Sequence, residues 1–311
     1  MRILFTGSSS FTGYWFIKEL VNSGYEVIAV FSSKQEDYSG IRKKRVDEIL
    51  NLCKCVFECK FGSEAFLSLT NEIFQIDLFC HHYADVTNYK SSDFDVLSAI
   101  NRNAKNIQLV LKMLAEKGCN KILLTGSFFE QNEGVGSDGL RAFSPYGFSK
   151  GVTSEIFKYY TLLMKLKLGK FVIPNPFGPY EEARFTGYLV RSWFEGNVPQ
   201  VATPAYVRDN IHVSLLAKAY VMFAESLTEE PGFQKINPSG YAESQRAFAE
   251  RLAREMRLRL PMPCELTFAE QKQFPEPKVR INTDLIAHHF NGWNEKQAWD
   301  ELADYYQKTY K

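Results

Sequence analysis

Arg2-Ile3-Leu4-Phe5-Thr6-Gly7-Ser8-Ser9-Ser10-Phe11-Thr12-Gly13 opens the chain, and the helical periodicity of Tyr14-Trp15-Phe16-Ile17-Lys18-Glu19-Leu20 follows it. An apolar run of strand length therefore enters a glycine-bounded turn and leaves it as a helix. Gly7 permits the tight turn, and Gly13 lets the helix pack closely on the strand. The unpaired N–H groups and the dipole of a helix start favour a diphosphate. Gly7, Ser10, Phe11, Thr12 and Gly13 read as the pyrophosphate loop of a dinucleotide site.

Outward from this loop the same rhythm repeats. A helix is expected over 12–23, then strands at Glu26–Phe31, Cys55–Glu58, Leu78–His81 and Lys121–Thr125, with amphipathic stretches between them. Repeated strand–helix alternation with right-handed crossovers builds a doubly wound parallel sheet, so the fold class is α/β of the Rossmann kind. All but one of the 12 prolines lie beyond residue 173 and punctuate shorter elements there. The expected division is a nucleotide domain over 1–173 plus about 206–230, and a smaller mixed substrate lobe over 174–205 plus 231–311.

Composition narrows the classes. The 311 residues carry Lys+Arg 37 against Asp+Glu 36, a net charge of +1 that supplies no field to hold a polyanion, so no nucleic-acid partner is expected. Hydrophobic residues at 45% and charged residues at 23% describe an ordinary folding chain. No apolar run approaches the roughly 18–20 residues of a membrane span. The 6 cysteines are too sparse for a disulfide scaffold, and a strand begins at Arg2 with no room for a signal peptide, so a cytoplasmic protein is expected. Cys53, Cys55 and Cys59 would share one face of a strand, and small buried hydrophobes explain them better than a metal site.

The second strand ends at Phe31-Ser32-Ser33-Lys34, where an NAD-preferring fold would place a carboxylate for the ribose 2′-hydroxyl. The two hydroxyls and the ammonium of Ser32, Ser33 and Lys34 suit a 2′-phosphate instead, with Arg42, Lys43, Lys44 and Arg45 as further cations if the loop folds back. NADP(H) is the expected cofactor, with NAD as the alternative.

Tyr146-Gly147-Phe148-Ser149-Lys150 lies at the mouth of a long helical pattern, and Tyr146 and Lys150 share one face at i, i+4. A free phenol titrates near pH 10, so a tyrosine acid/base requires a nearby ammonium to favour phenolate. Strand 122–125 ends at Gly126-Ser127, which puts a hydroxyl at the carboxyl end of a parallel strand, where open α/β sheets bind their ligands. Ser127 is expected to hold a carbonyl or hydroxyl oxygen beside Tyr146, with Asn103 buttressing Lys150 through water.

Taken together, Thr6-Gly7…Phe11-Thr12-Gly13, Asn103, Ser127, Ser144-Pro145-Tyr146-Gly147-Phe148-Ser149-Lys150, Asn175-Pro176-Phe177-Gly178-Pro179 and Arg208-Asp209-Asn210-Ile211-His212-Val213 resemble the extended short-chain dehydrogenase/reductase family, in its nucleotide-sugar branch. The resemblance spans nearly the whole chain. It implies that Asn175 and Arg208 approach the diphosphate of a nucleoside diphosphate sugar, and that His212 is structural. It also implies that Lys60, Phe61, His82, Tyr83, Lys150 and Pro174 line the cofactor, and that helices within 96–117 and 147–167 pair two copies into a homodimer. Three departures stand out: Ser10 replaces the middle glycine of the loop, Lys60 stands where an Asp is usual, and His81-His82-Tyr83-Ala84 replaces small residues. A weakly active or non-catalytic relative, binding NADP without turnover, is a further reading of these departures.

The neighbours of Ser127 bear on the reaction. Dehydratases of the family carry an Asp-Glu pair there, and this chain has Phe128-Phe129, read either as an apolar pocket for a 6-deoxy methyl group or as core. Ser127-Phe128-Phe129 resembles reductases that finish deoxysugar nucleotides, of the CDP-abequose synthase type. The expected enzyme is an NAD(P)H-dependent 4-ketosugar reductase, with a 4-epimerase as the alternative.

Overall fold

A computed structural model describes residues 1–89, 91–137, 139–287 and 292–310. In chain order its elements are β1 Arg2–Thr6, α1 Phe11–Asn22, β2 Glu26–Val30, α2 Gly40–Leu50, β3 Lys54–Val56, α3 Glu64–Glu72, β4 Leu78–His81, α4 Val96–Asn103, α5 Ile107–Glu116, β5 Lys121–Ser127, β6 Val135–Gly136, α6 Pro145–Leu163 and β7 Lys167–Ile173. They continue with β8 Asn175–Phe177, α7 Phe185–Phe194, β9 Gln200–Val201, β10 Val207–His212, α8 Val213–Ser226, β11 Gly232–Ile236, β12 Pro238–Ser239, β13 Tyr241–Ser244, α9 Gln245–Arg257 and α10 Glu295–Tyr310.

Seven strands form one sheet in the order β11-β7-β5-β4-β1-β2-β3, and every pairing in it is parallel. The chain runs outward from β1 through β2 to β3, then crosses back to β4 and continues to the opposite edge. The strand order thus reverses between β1 and β4, and the crevice at their carboxyl ends is where such sheets take ligands. Burial on both faces explains the continuous apolar runs: Ile3, Leu4, Phe5, Leu78, Phe79, Leu123 and Phe171 are buried.

Two compact units emerge: residues 1–133, 141–173 and 217–237 in the first, and 134–140, 174–216 and 238–311 in the second. The boundaries differ from the sequence expectation at three places, the first being β6, expected in the nucleotide domain, which pairs with residues 280–281 of the second unit. The segment 206–216, expected in the nucleotide domain, belongs to the second unit because β10 pairs with β8 and β13. Residues 231–237, expected in the lobe, belong to the first because β11 extends the large sheet beside β7. The second unit has its own core, where Phe177, Leu189, Trp193, Phe248, Leu252 and Trp299 pack together.

The single helix expected within 96–117 is two helices. Asn106 caps α5 at φ +53, a left-handed conformation that Asn tolerates, and its side-chain amide donates to the Gly62 carbonyl at 2.9 Å. Gly62 itself crosses so closely that a Cβ there would lie 2.0 Å from the Lys105 carbonyl oxygen. Among the described residues no helix is long and apolar enough to cross a membrane, and no group of three or more His, Cys, Asp or Glu residues is placed to hold a metal. The three cysteines expected on one strand do not share it, since β3 contains Cys55 alone of the three.

Candidate active site

Ser10 is the N-cap of α1, and its hydroxyl turns back into the loop, donating to the Gly7 carbonyl at 2.9 Å and accepting from the Gly13 N–H at 3.0 Å. The side chain that replaces the family's glycine is thus folded inward. The amides of Phe11 and Thr12 have no intrachain acceptor among the described residues, which leaves two N–H groups at the positive end of α1 to meet an anion. Gly7, at φ +78, is pressed against the end of β4, where a Cβ would lie 2.8 Å from the carbonyl carbon of His82 and from the Tyr83 nitrogen. A dinucleotide diphosphate fits this cradle.

Of the four cations over 42–45, Arg42, Lys43 and Lys44 are exposed, and Lys43 pairs with Asp47. Arg45 is fully buried and donates from Nε to the Ser9 carbonyl at 3.0 Å, so α2 delivers one guanidinium to the phosphate loop. The Ser33 N–H donates to the Tyr38 hydroxyl at 3.4 Å, and Lys34 begins a short turn that Asp37 caps through the Lys34 amide. Lys60 is exposed, whereas Phe61, expected to line the cofactor, is buried in the core with its ring 4.2 Å from that of His81.

Ser127 ends β5 in a tight turn. Its N–H donates to Glu130 Oε1 at 2.7 Å, its carbonyl accepts the Glu130 N–H at 3.0 Å, and its hydroxyl accepts the Phe129 N–H at 3.3 Å. Glu130 Oε2 accepts from Lys170 Nζ at 2.7 Å, and Lys170 also donates to Glu133 at 2.8 Å. Lys235 and Asn237 complete the cluster on Glu133. Burial works against the Lys170 charge, but the two carboxylates hold its ammonium above the usual lysine range. Burial likewise opposes ionisation of Glu133, and Lys170 with Lys235 overcomes it and holds that carboxyl below its usual range. This network, absent from the sequence reading, is signalled by one feature: Lys170 stands mid-strand in an otherwise buried run and needs partners.

The first turn of α6 packs on that turn. Gly147 is required there, since a Cβ would lie 2.3 Å from the Phe129 carbonyl oxygen, and the Phe143 N–H donates to the same oxygen at 3.0 Å. Ser144 N-caps the helix and Pro145 opens it. Lys150, one turn after Tyr146, donates from Nζ to the Thr125 carbonyl at 2.8 Å. Burial lowers the pKa of that ammonium, and the Glu130 carboxylate works against the shift. The structure therefore gathers Ser127, Tyr146 and Lys150 at the ends of two adjacent elements. The Tyr146 ring meets those of Tyr89 and Phe94 edge-on, with centroids 5.4 and 6.0 Å away. Both rings come from the loop after β4.

Asn103, expected to reach Lys150 through water, makes two direct contacts of its own. Its side-chain oxygen accepts the Asp85 N–H at 2.8 Å and its carbonyl accepts from His81 Nε2 at 3.2 Å, so it anchors the loop that carries Tyr89 and Phe94. Arg102 pairs with Asp85 from the same helix. Phe128 is fully buried and stacks with the half-buried Phe129 at 4.6 Å, which makes Phe128 a core residue. Tyr83 is half-buried, and its N–H donates to the Thr6 hydroxyl.

In the second unit, Asn175 and Asn210 are register partners on β8 and β10. Pro174, expected at the cofactor, precedes β8 and is buried. Arg208 is buried and committed within the unit, donating to the Val207, Pro277 and Lys278 carbonyls and pairing with Glu276 at 2.9 Å. His212 bonds Ser214 at 2.8 Å, in keeping with a structural residue.

The sequence model of the NAD dependent epimerase/dehydratase family matches residues 3–237. The chain belongs to that family. Its members share this sheet, and several solved structures align over nearly the full length. The UDP-glucose 4-epimerase of Thermotoga maritima with UDP-glucose aligns with a TM-score of 0.74 at 17% identity, covering 100% of both chains. A variant of the Bacillus cereus UDP-glucuronic acid 4-epimerase, in complex with a fluorinated substrate analogue and NAD, aligns with a TM-score of 0.78 at 17% identity, over 99% of this chain and 100% of that one. The Streptomyces venezuelae dTDP-glucose 4,6-dehydratase DesIV with NAD bound gives 0.72 at 16% identity, over 99% and 97%. At such identities the likeness is one of fold. No curated protein matches the chain significantly.

Proposed function

We propose that this family member is an NADPH-dependent reductase acting at C4 of a nucleoside diphosphate 4-ketosugar. The observation that carries this reading is the engagement of the carboxylates beside Ser127. A 4,6-dehydration needs an acid and a base at the sugar, and Glu130 and Glu133 are instead bound to Lys170 inside the first unit. The groups left at the reacting centre are a hydroxyl, a phenol and an ammonium, enough for carbonyl reduction.

NADPH, when bound, supplies the hydride. Ser127 hydrogen-bonds the C4 oxygen, Tyr146 donates a proton to the alkoxide as it forms, and Lys150 favours the phenolate that results. Asn175 and Arg208 hold the substrate diphosphate. Ser32, Ser33 and Lys34, with no carboxylate among them, favour NADP(H) over NAD(H), and the Arg45 guanidinium beside Ser9 adds positive charge to that end of the loop.

The deciding experiment offers NADPH or NADH with 4-keto-6-deoxyhexoses linked to UDP, CDP, GDP and dTDP, and follows absorbance at 340 nm. Stoichiometric oxidation of NADPH supports the reductase. Interconversion of UDP-sugars on retained NAD, without net oxidation, replaces it with the epimerase. Tighter NADP(H) binding that Lys34→Asp narrows or reverses supports the cofactor assignment, and equal affinities reject it.

A further inference from the structure

His82 stands at the carboxyl end of β4, beside Gly7 at the end of β1, so it occupies the point where the strand order reverses. Its ring fills the space beneath the phosphate loop, with centroids 5.6 Å from Phe5 and 5.3 Å from Phe16. Nε2 lies 3.0 Å from the Ser10 hydroxyl and 3.1 Å from that of Thr12, while Nδ1 lies 2.9 Å from the Thr125 hydroxyl. One hydrogen-bond assignment satisfies all of these atoms. The Ser10 hydroxyl already donates to Gly7 and accepts from Gly13, so it takes a second bond only as acceptor. Nε2 then carries the proton, and Nδ1 accepts from Thr125.

A neutral ring is what this arrangement requires, and burial, with the Lys150 ammonium adding to it, pushes the imidazole down to about 3. Thr125 in turn holds Lys150 through its backbone carbonyl and stands two residues before Ser127. One side chain therefore spans from the diphosphate loop to the strand that carries the catalytic hydroxyl and positions the catalytic ammonium.

We propose that His82 is a positioning residue that ties the phosphate loop to the β5 end, so that the diphosphate cradle and the Ser127–Lys150 centre hold their places together. The inference rests on the cofactor reading above and adds to it the element that joins the two halves of that site. A small side chain at this position would leave the loop joined to β5 by nothing that bridges the Ser10 and Thr125 hydroxyls.

The test uses variants at both ends of the bridge. Thr125→Val keeps shape and removes the Nδ1 partner, His82→Phe keeps volume and removes both bonds, and His82→Gln retains one donor and one acceptor at similar spacing. Hydrogen exchange in the ligand-free chain reads the tie without any cofactor. Thr125→Val is expected to speed exchange in 7–14 by about tenfold through the His82 ring, since losing a partly buried hydrogen bond costs about 1–2 kcal/mol. NADPH affinity should fall about tenfold in Thr125→Val and His82→Phe and recover to within about threefold in His82→Gln. Unchanged exchange in 7–14 for both Thr125→Val and His82→Phe overturns the proposal. An unmodified chain that binds neither NADPH nor NADH overturns the cofactor reading instead, and the exchange data still decide the tie.

Discussion

The Ser127 backbone N–H donates to Glu130 Oε1 at 2.7 Å, and the other oxygen of that carboxylate is paired with Lys170. The Ser127 turn is therefore set by a buried ion pair rather than by the strand alone. Removing one partner of such a pair strands the other's charge. Lys170→Met should destabilise the chain by about 3–5 kcal/mol in urea unfolding, because two carboxylates lose their shared ammonium. A loss under about 1 kcal/mol would show that the network relaxes without it.

His81 and His212 are buried and His82 is half-buried, and all three imidazoles are pushed down to about 3. In the unfolded chain each titrates near 6.5, so below that pH the unfolded state binds protons that the native state does not. The stability these neutral rings permit is fully present above about pH 7 and is lost as pH falls through 6.5 toward 3. At pH 5.5 the three should together cost about 4 kcal/mol relative to pH 7.5. Unfolding midpoints that stay level between those pH values would contradict it.

Tyr146→Phe removes a proton donor and leaves the ring packing against Tyr89 and Phe94 available. Turnover should fall by about 100-fold or more, with NADPH affinity nearly intact. Single-turnover kinetics and calorimetry on the same variant separate the two quantities, and an unchanged kcat removes Tyr146 from the chemistry.

Arg208 meets Glu276 before it meets any ligand. Arg208→Ala should weaken binding of UDP, CDP, GDP or dTDP by roughly 2–4 kcal/mol with NADP binding little changed, whereas Glu276→Ala should strengthen it by releasing Nη2 from its carboxylate. Calorimetry that finds Glu276→Ala weaker than the unmodified chain would assign Arg208 to structure alone.

Leu97, Leu109, Tyr159, Leu162 and Leu163 are 78%, 45%, 62%, 71% and 59% exposed on α4, α5 and α6, three helices that lie side by side. So much apolar surface on adjacent helices suits a second copy of the chain, and a homodimer is expected in sedimentation. Leu162→Lys should shift the mass to monomer. A monomer at all concentrations of the unmodified chain would count against the pairing.

The alternation of Arg2–Thr6, the glycine loop and the α1 pattern is local chemistry, and it was legible because turn, cap and periodicity each reside in a few consecutive residues. The i, i+4 spacing of Tyr146 and Lys150, and the place of Ser127 at a strand end, were legible for the same reason. Pairings between distant segments were not. That Lys170 neutralises Glu130 and Glu133 depends on β7 lying beside β5, and that β10 belongs with β13 depends on a strand later in the chain. His82 shows the difference most plainly. By sequence it is a bulky residue among positions that are usually small, and only the adjacency of β1, β4 and β5 makes it a bridge, because a hydrogen bond is decided by about 3 Å of space and not by separation along the chain.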